Sequence, residues 1–375
     1  MYARRICIVG RRIDAVPKNV HLPADGFSVL ELIVAMGLIT VLLALALPAI
    51  HNARRSARRL ECANNLRNLC VGLLSANADS QSLPTAGVVS GWNGESLEPR
   101  ANWVTSVLPF CERRDVYDAV DFSKSLIDPV NERITRLHIS TLVCPADRTA
   151  TGGGDLSFVV NGGLGQLEMD WTFRFSMVRD AKSRLIDMDG DGVFKYEISD
   201  QERHRRDTGI WKATTLFIRR LAVTQNSERG GPIHTPGSRS FASIVDGMSN
   251  TLMITENVRT GFDPYDATST WASTKANLIF ATVNPLICKE QSCSAGNVDF
   301  SKANDGIGGI NSGLALAEGE APWPNSFHPG GVNIGLADGS VRFLSEDTDG
   351  RAYFNFFTPD SVRLIGTPLD VLGVP

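Results

Sequence analysis

The chain has 375 residues, of which 43% are hydrophobic and 21% charged, and its formal net charge is −4. This is the composition of an ordinary globular protein, long enough for one large core or two modest ones. The chain lacks the excess of Lys and Arg that a nucleic-acid-binding face requires, so we expect no nucleic-acid partner.

An apolar segment runs from Phe27 to Ile50 and contains a single charged residue, Glu31. At about 1.5 Å per residue, a helix of this length spans roughly 36 Å, which is enough to cross a bilayer with some tilt. A carboxylate in such a helix costs about 2.5 kcal/mol or more near the bilayer centre and less near an end, so we expect Glu31 to have a partner. Pro48 removes one backbone hydrogen bond and predicts a bend.

The start of this segment, Gly26-Phe27-Ser28-Val29-Leu30-Glu31, resembles the class III signal of type IV prepilins and type II secretion pseudopilins. The resemblance implies that a prepilin peptidase cuts between Gly26 and Phe27 and methylates Phe27. It also implies that Glu31 pairs with the terminal amine of a neighbouring pilin-like subunit, and Pro48 stands where many of these helices carry a proline. An uncleaved signal anchor is the alternative.

Charge alone does not orient the segment, because five Lys or Arg precede it and four Arg follow it within residues 54–59. The resemblance implies that residues 1–26 are a cytoplasmic leader. The protein would then cross the inner membrane once, with a periplasmic or extracellular head.

The helical pattern continues past the apolar segment. Leu66, Leu69, Leu73 and Leu74 recur every three or four residues and predict an apolar stripe that packs on a sheet. We therefore expect one helix over 27–78, with 27–50 in the membrane, and a globular head over 79–375. The expected fold class is α+β and pilin-like, with the long N-terminal helix packed on an antiparallel sheet that carries large loop insertions.

Six cysteines follow the leader, an even number for an exported protein in an oxidising environment. Cys62 and Cys70 are about 12 Å apart along one helix and cannot bond to each other. A Cys62–Cys144 disulfide is our interpretation for a clamp between helix and head. Cys288 and Cys293 are near enough in sequence to close a small loop, and free thiols are the alternative.

The most metal-like stretch has Asp187, Asp189 and Asp191 at alternate positions and Gly192 at the sixth, as in the first half of an EF-hand loop. The twelfth position is Ile198 rather than Glu. Calcium is therefore a candidate cofactor rather than a certain one, and its bidentate ligand would have to come from Glu197, Asp200 or elsewhere. The alternative is an acidic turn that uses Asp and Gly for left-handed backbone angles.

Three further elements follow in chain order. They are Cys144-Pro145-Ala146-Asp147, Asp246-Gly247-Met248-Ser249-Asn250-Thr251, and His328 with Asp338-Gly339 ten residues later. With the N-terminal signal, they resemble prepilin-like proteins that contain a DUF1559 (SBP_bac_10) domain and end in an H-x9-DG element. The resemblance covers nearly the whole chain after residue 26.

Alternating apolar residues on both sides of Asp338-Gly339 predict a hairpin over 332–345. An extended segment between His328 and Asp338 would hold them about 20 Å or more apart, too far to share a proton or a metal. We therefore expect structural roles, with Asp338 serving the turn and the ring of His328 capping its loop on the backbone.

The chain contains no HExxH, GxSxG or Walker A motif, and its other histidines show no ligand spacing, so we expect no enzyme. The expected function is a pseudopilin or minor-pilin-like structural subunit, assembled through its N-terminal helix into a type II secretion or type IV pilus-like filament. The alternative is a membrane-anchored binding module for a carbohydrate or other solute. Its loops would present tryptophans, namely Trp92, Trp103, Trp211, Trp271 or Trp323.

Overall fold

The computed structural model divides into two compact units, Met1–Ala53 and Arg54–Pro375. The residues that it describes are 28–92, 97–169, 175–179, 185–186, 196–197, 200–222, 239–260, 270–283, 287, 298–306, 308–367 and 369–370.

The first helix, α1, spans Val29–Ser80 and contains Pro48. It begins with a reciprocal cap, because the Ser28 hydroxyl accepts from the Glu31 backbone N–H (3.2 Å) and the Glu31 carboxylate accepts from the Ser28 N–H (2.9 Å). Its most apolar 18-residue window has a mean hydropathy of 2.6 and no buried residue. Length and composition therefore allow α1 to cross a membrane as an anchor or a signal.

The second unit contains the rest of α1 and six shorter helices among the described residues. These are α2 (Trp103–Val107), α3 (Arg114–Ala119), α4 (Pro129–Thr135), α5 (Gln201–Thr214), α6 (Ala276–Ile279) and α7 (Gly350–Phe357).

Twelve described strands accompany these helices. They are β1 (Gly87–Trp92), β2 (Leu97–Asn102), β3 (Leu156–Asn161), β4 (Gln166–Met169), β5 (Phe175–Arg179), β6 (Leu185–Ile186), β7 (Tyr196–Glu197), β8 (Arg219–Ala222), β9 (Leu252–Thr260), β10 (Phe280–Ala281), β11 (Gly331–Leu336) and β12 (Val341–Ser345).

The largest sheet has the order β10-β3-β9-β11-β12. Its β3–β9, β9–β11 and β11–β12 pairs are antiparallel, whereas β10 runs parallel to β3. Two smaller sheets have the orders β2-β1-β8 and β4-β5-β6, with β7 added to β5. The expectation of an α+β fold with a long helix and antiparallel pairing is confirmed. The single antiparallel sheet is corrected to three sheets, two of which include a parallel pair, β10 with β3 and β1 with β8.

The two faces of the large sheet contribute to different cores. Side chains alternate between faces along a strand, so Phe158 and Val160 join one buried cluster and Val159 joins the other. The first cluster contains the buried stripe of α1, including Leu66 and Leu69. The second contains the aromatic residues of α7, which are Tyr353, Phe354 and Phe357. The described sheet is therefore covered by α1 on one face and by α7 on the other.

Helix α1 makes close contact with the sheet at Gly335 of β11. A Cβ atom at this position would overlap Cys70 Sγ of α1 and lie 2.9 Å from Ile254 Cγ2 of β9. Glycine therefore lets the helix lie directly on the strand, and this contact positions the residues of α1 that face β9 and β11.

Candidate functional site

Four side chains from distant parts of the chain converge where α1 meets the large sheet. They are Cys62 of α1, Cys144, Glu256 of β9 and His328, and all four are buried. One donor atom from each lies within 4.8 Å of the other three. The donors are two thiols, a carboxylate and an imidazole.

Local structure aims each of these side chains inward. Cys62 lies one turn before Leu66 on the buried stripe of α1. Glu256 lies two residues after Ile254 on the same face of β9, which is the face that packs on α1. Cys144 follows a short helical turn at Ser140–Leu142, and His328 lies three residues before β11.

The shortest contacts centre on two atoms. His328 Nε2 lies 3.4 Å from Cys144 Sγ and 3.2 Å from Glu256 Oε1. Glu256 Oε1 in turn lies 2.5 Å from Cys62 Sγ and 3.9 Å from Cys144 Sγ. The four donor atoms thus face one common point rather than forming a chain of separate pairs.

Asn333 of β11 holds the carboxylate from the neighbouring strand. Ile334 pairs with Thr255, and this register sets Asn333 beside Glu256. The Asn333 backbone N–H donates to Glu256 Oε2 (2.7 Å), and its side-chain amide donates to Oε1 (2.8 Å). Both oxygens of the buried carboxylate are therefore oriented by one residue.

The side chains of the cluster shift one another's protonation equilibria. Burial raises the pKa of the Cys62 thiol far above its ordinary value, and Cys144 and Glu256 add to the rise. The hydrogen bond from Cys62, together with that from His328, lowers the pKa of Cys144 against the effect of burial. Burial opposes a charged His328, but its bonds to Cys144 and Glu256 raise its pKa to about 9.

The arrangement differs from a nucleophile triad. In a triad, the nucleophile and the acid use opposite nitrogens of the histidine ring. Here Cys144 and Glu256 both face Nε2. A cation is the partner that can be shared by two thiols, an imidazole nitrogen and a carboxylate oxygen.

The structure brings Cys144 and His328 together but places the rest of their motifs elsewhere. Pro145 lies in a turn that is closed by a hydrogen bond from the Asp147 N–H to the Cys144 carbonyl (2.8 Å). The Asp147 carboxylate accepts from Thr149 N (2.9 Å) and from Ser157 Oγ (2.7 Å). Burial raises the pKa of Asp147, although these hydrogen bonds oppose the rise.

The element at residues 246–251 forms a turn that also fixes the C-terminal region. Gly247 has a φ of +94°, and the Asn250 side chain donates to the Asp246 carbonyl (3.1 Å). The Asp246 carboxylate accepts from the N–H of Ser361 (2.7 Å) and from its hydroxyl (2.8 Å). These residues therefore make structural contacts away from the four-residue cluster.

Asp338 and Gly339 form the turn between β11 and β12. The Asp338 carboxylate accepts from the Ser340 N–H (2.8 Å), and Gly339 has a φ of +83°. His328 lies at the other end of β11, so the two named residues of the H-x9-DG element do not share a site. The described contacts of the His328 ring are with Cys144 and Glu256, which corrects the expectation that this ring caps its loop on the backbone.

Cys62 and Cys144 lie close together, as the expected clamp requires, but both are free thiols. The disulfide interpretation is therefore corrected to a contact within the four-residue cluster. Cys288 and Cys293 lie outside the described residues, as do Gly26, Phe27 and the calcium candidates Asp187, Asp189 and Asp191.

The tryptophans expected on ligand-binding loops belong to the core instead. At most 2% of the surface of Trp103, Trp211, Trp271 or Trp323 is exposed. The side chain of Trp92 lies outside the described part of the chain. The structure therefore leaves these four residues unable to stack on a sugar.

Glu256 is the member of the cluster that sequence reasoning missed. Its stretch, Leu252-Met-Ile-Thr-Glu-Asn-Val258, reads as a buried strand with one carboxylate inside it. A charge in an otherwise apolar central strand is itself a signal, because buried carboxylates are rare without a partner.

A family model matches most of the chain. No curated protein and no solved structure matches the chain. The family model SBP_bac_10, described as a protein of unknown function (DUF1559), matches residues 51–351, a range that includes all four residues of the cluster. The chain therefore belongs to the DUF1559 family.

Proposed function

We propose that this protein is an exported, membrane-anchored subunit that assembles through its N-terminal helix in the manner of a pseudopilin or minor pilin. It is cut after Gly26 by a prepilin peptidase, methylated at Phe27 and held in the inner membrane with its head outside the cytoplasm. Its partners are other pilin-like subunits of a type II secretion or type IV pilus-like filament, and its role is structural rather than enzymatic.

The observation that carries the proposal is the apolar surface of α1. Large apolar side chains from Val29 to Ile50 are largely exposed, and 54–74% of the surface of most of them is accessible. Lipid can cover such a surface before assembly, and neighbouring helices can cover it afterwards. The family match starts at residue 51, so it is compatible with a head carried on a separate N-terminal anchor.

Glu31 supports assembly rather than simple anchoring. It is the one charged residue from Phe27 to Ile50, and its carboxylate binds the Ser28 N–H near the helix start. A terminal amine at Phe27 of a neighbouring subunit would neutralise this carboxylate in an apolar bundle. A plain anchor can use this side chain to cap the helix but does not need its negative charge, which opposes insertion. The alternative, a tethered carbohydrate-binding module, is less favoured because four of its expected tryptophans are buried.

Intact-mass measurement and N-terminal sequencing of the protein from its native membranes test the proposal. We expect a chain that begins with methylated Phe27, and we expect Gly26→Val to retain the whole leader. An intact Met1 terminus in the wild-type protein would assign the segment to an uncleaved anchor and overturn the proposal.

A further inference from the structure

We propose that Cys62, Cys144, Glu256 and His328 bind one structural Zn²⁺ ion. This site lies wholly within the second unit, and it stands whether or not the protein assembles as a pilin-like subunit.

Three of the four shortest donor distances fit a tetrahedral ion. Zinc bonds of about 2.3 Å to sulfur and about 2.0–2.2 Å to nitrogen and oxygen imply distances of about 3.4–3.8 Å between neighbouring ligand atoms. Three of the contacts, at 3.4, 3.2 and 3.9 Å, lie within roughly 0.3 Å of these values. The fourth, between Cys62 Sγ and Glu256 Oε1, is 2.5 Å, so zinc binding would move the Cys62 thiol outward by about 1 Å.

The lone pairs of Glu256 Oε1 also favour a shared ion. This oxygen faces Cys62, Cys144, His328 and the Asn333 amide, which are more groups than its two lone pairs can serve. If the Asn333 amide takes one lone pair and zinc the other, every group has a partner. Asn333 then acts as the outer residue that orients a metal-bound carboxylate.

The buried Glu256 carboxylate needs a positive partner close to it. Among the described side chains, the hydrogen-bonding and ionic partners of Glu256 are the two thiols, His328 and Asn333, and none is Lys or Arg. A protonated His328 could balance the carboxylate alone, leaving both thiols protonated as small buried groups. That arrangement does not explain why both thiols approach the same point. Zinc would bind both as thiolates. Two thiolates, a carboxylate and a neutral imidazole around Zn²⁺ leave a net charge of −1.

The donor set selects among metals. Thiolate and imidazole ligands suit zinc, whereas calcium and magnesium prefer sites made only of oxygen ligands. Four protein ligands fill the tetrahedral positions and leave none open for a substrate, which is the pattern of a structural site. The ion would join α1, the turn at Cys144, β9 and the loop before β11, and would fix α1 to the head.

An access route reaches the site from the surface. A groove lined by Arg55, Arg58, Arg59, Arg148 and Phe327 extends to His328, of which 4% is exposed. The guanidinium groups along this groove also offset the net negative charge of a zinc-loaded site.

Metal analysis of the full chain, purified in detergent under reducing conditions without chelator, tests the proposal. We expect one zinc per chain in the wild-type protein. Cys144→Ser and Glu256→Gln should each weaken zinc binding at least roughly tenfold, given that even residues outside the ligand shell change metal affinity by about 10–100-fold. Cys111→Ser is the matched control, since Cys111 is a free cysteine outside the cluster, and it should keep the full zinc content.

A second measurement on the wild-type protein keeps the test independent of the folding of the variants. After zinc removal, added Co²⁺ should produce thiolate-to-cobalt charge-transfer bands and the intense visible bands of a tetrahedral ion, whereas Ca²⁺ should not compete. Wild-type protein with reduced thiols that holds no zinc and gives no such bands would overturn the proposal. A mapped Cys62–Cys144 disulfide in protein from native membranes, or equal zinc affinity in wild type and Cys144→Ser, would do the same.

Discussion

Cys144 Sγ lies 3.4 Å from His328 Nε2, although 184 residues separate them in the chain. A metal ion bound to both of these atoms closes a loop of that length. Its bonds to Cys62 and Glu256 close further long loops of the chain. The cluster should therefore affect the stability of the whole second unit rather than that of a local turn.

The first prediction concerns metal removal. A ligand that binds only the folded state stabilises it by about 4 kcal/mol when its free concentration is 1,000 times the Kd. We expect a chelator to lower the thermal midpoint of the wild-type protein, and added Zn²⁺ to restore it. The midpoint of Cys144→Ser should respond less to chelator, because this variant binds zinc more weakly. An equal chelator response in both proteins would place the stabilising metal elsewhere.

Asn333 provides a test of the surroundings of the site. Its amide and backbone N–H orient both oxygens of Glu256. Asn333→Ala removes the amide, so we expect zinc affinity to fall by about 10–100-fold, as for other outer residues of metal sites. Asn304→Ala is the matched control, because this amide holds two carbonyls in a loop, those of Glu346 and Thr348. Competition with a metal indicator should separate the two variants even if they lose similar stability.

The sequence predicts the long helix and its buried stripe well, because both depend on local patterns. Leu66, Leu69 and Leu73 of the stripe are buried, Leu74 is half-buried, and the structure extends the helix to Ser80. The turn at Asp338-Gly339 is equally local, since a positive φ at Gly339 and the Asx contact of Asp338 lie within four residues. These features can be predicted without knowing which distant segments of the chain pair with each other.

The four-residue cluster could not be predicted in the same way. Its members are 72 to 112 residues apart in sequence order, so no ligand spacing appears in any one segment. The proximity of Glu256 to His328 depends on the pairing of β9 with β11, and that of Cys62 depends on α1 lying over these strands. The parallel pairs β10–β3 and β1–β8 were missed for the same reason, because each joins strands far apart in the chain.

The contact between α1 and β11 yields a packing prediction. A Cβ atom at Gly335 would overlap Cys70 Sγ, so Gly335→Ala should destabilise the protein by about 1–3 kcal/mol through overpacking. Adding Cys70→Ala removes the overlapping sulfur and should recover part of the loss. Urea unfolding of the single and double variants measures this coupling. If the effects of the two single substitutions simply add in the double variant, Gly335 and Cys70 are not coupled, and the helix and the strand do not meet at these residues.

Asp147 yields a prediction about pH. Burial raises its pKa above the ordinary 3.8, so the folded state binds its proton more tightly than the unfolded state does. As pH rises from 3.8 to the raised native pKa, ionisation of this group therefore lowers the free energy of unfolding. Above the native pKa this loss of stability is complete. In Asp147→Asn this pH dependence is absent, so the wild-type protein should lose stability relative to the variant over that interval.

Asp115 supplies the control of opposite sign. The hydrogen bond from Arg113 lowers the pKa of Asp115, so its contribution is present above 3.8 and is lost as pH falls through the lowered native value. Urea unfolding of both Asn variants over the acidic range compares the two slopes. Parallel pH profiles for wild type and Asp147→Asn would contradict the prediction.

The last prediction separates the two roles that Glu31 can serve. Its carboxylate caps the start of α1 by accepting from the Ser28 N–H, and the proposed assembly requires its negative charge. Glutamine can occupy the same position of a capping box, because its side-chain carbonyl accepts the same bond without charge. Glu31→Gln therefore preserves the helix start and removes only the ion pair with the terminal amine of a neighbour.

We expect Glu31→Gln and Glu31→Ala to reach the membrane at wild-type levels but to be lost from the sheared filament fraction. Glu61→Gln, which removes an exposed charge elsewhere on α1, should assemble normally. If Glu31→Gln enters filaments as well as the wild-type protein does, the charge has no part in assembly and Glu31 serves the helix cap alone.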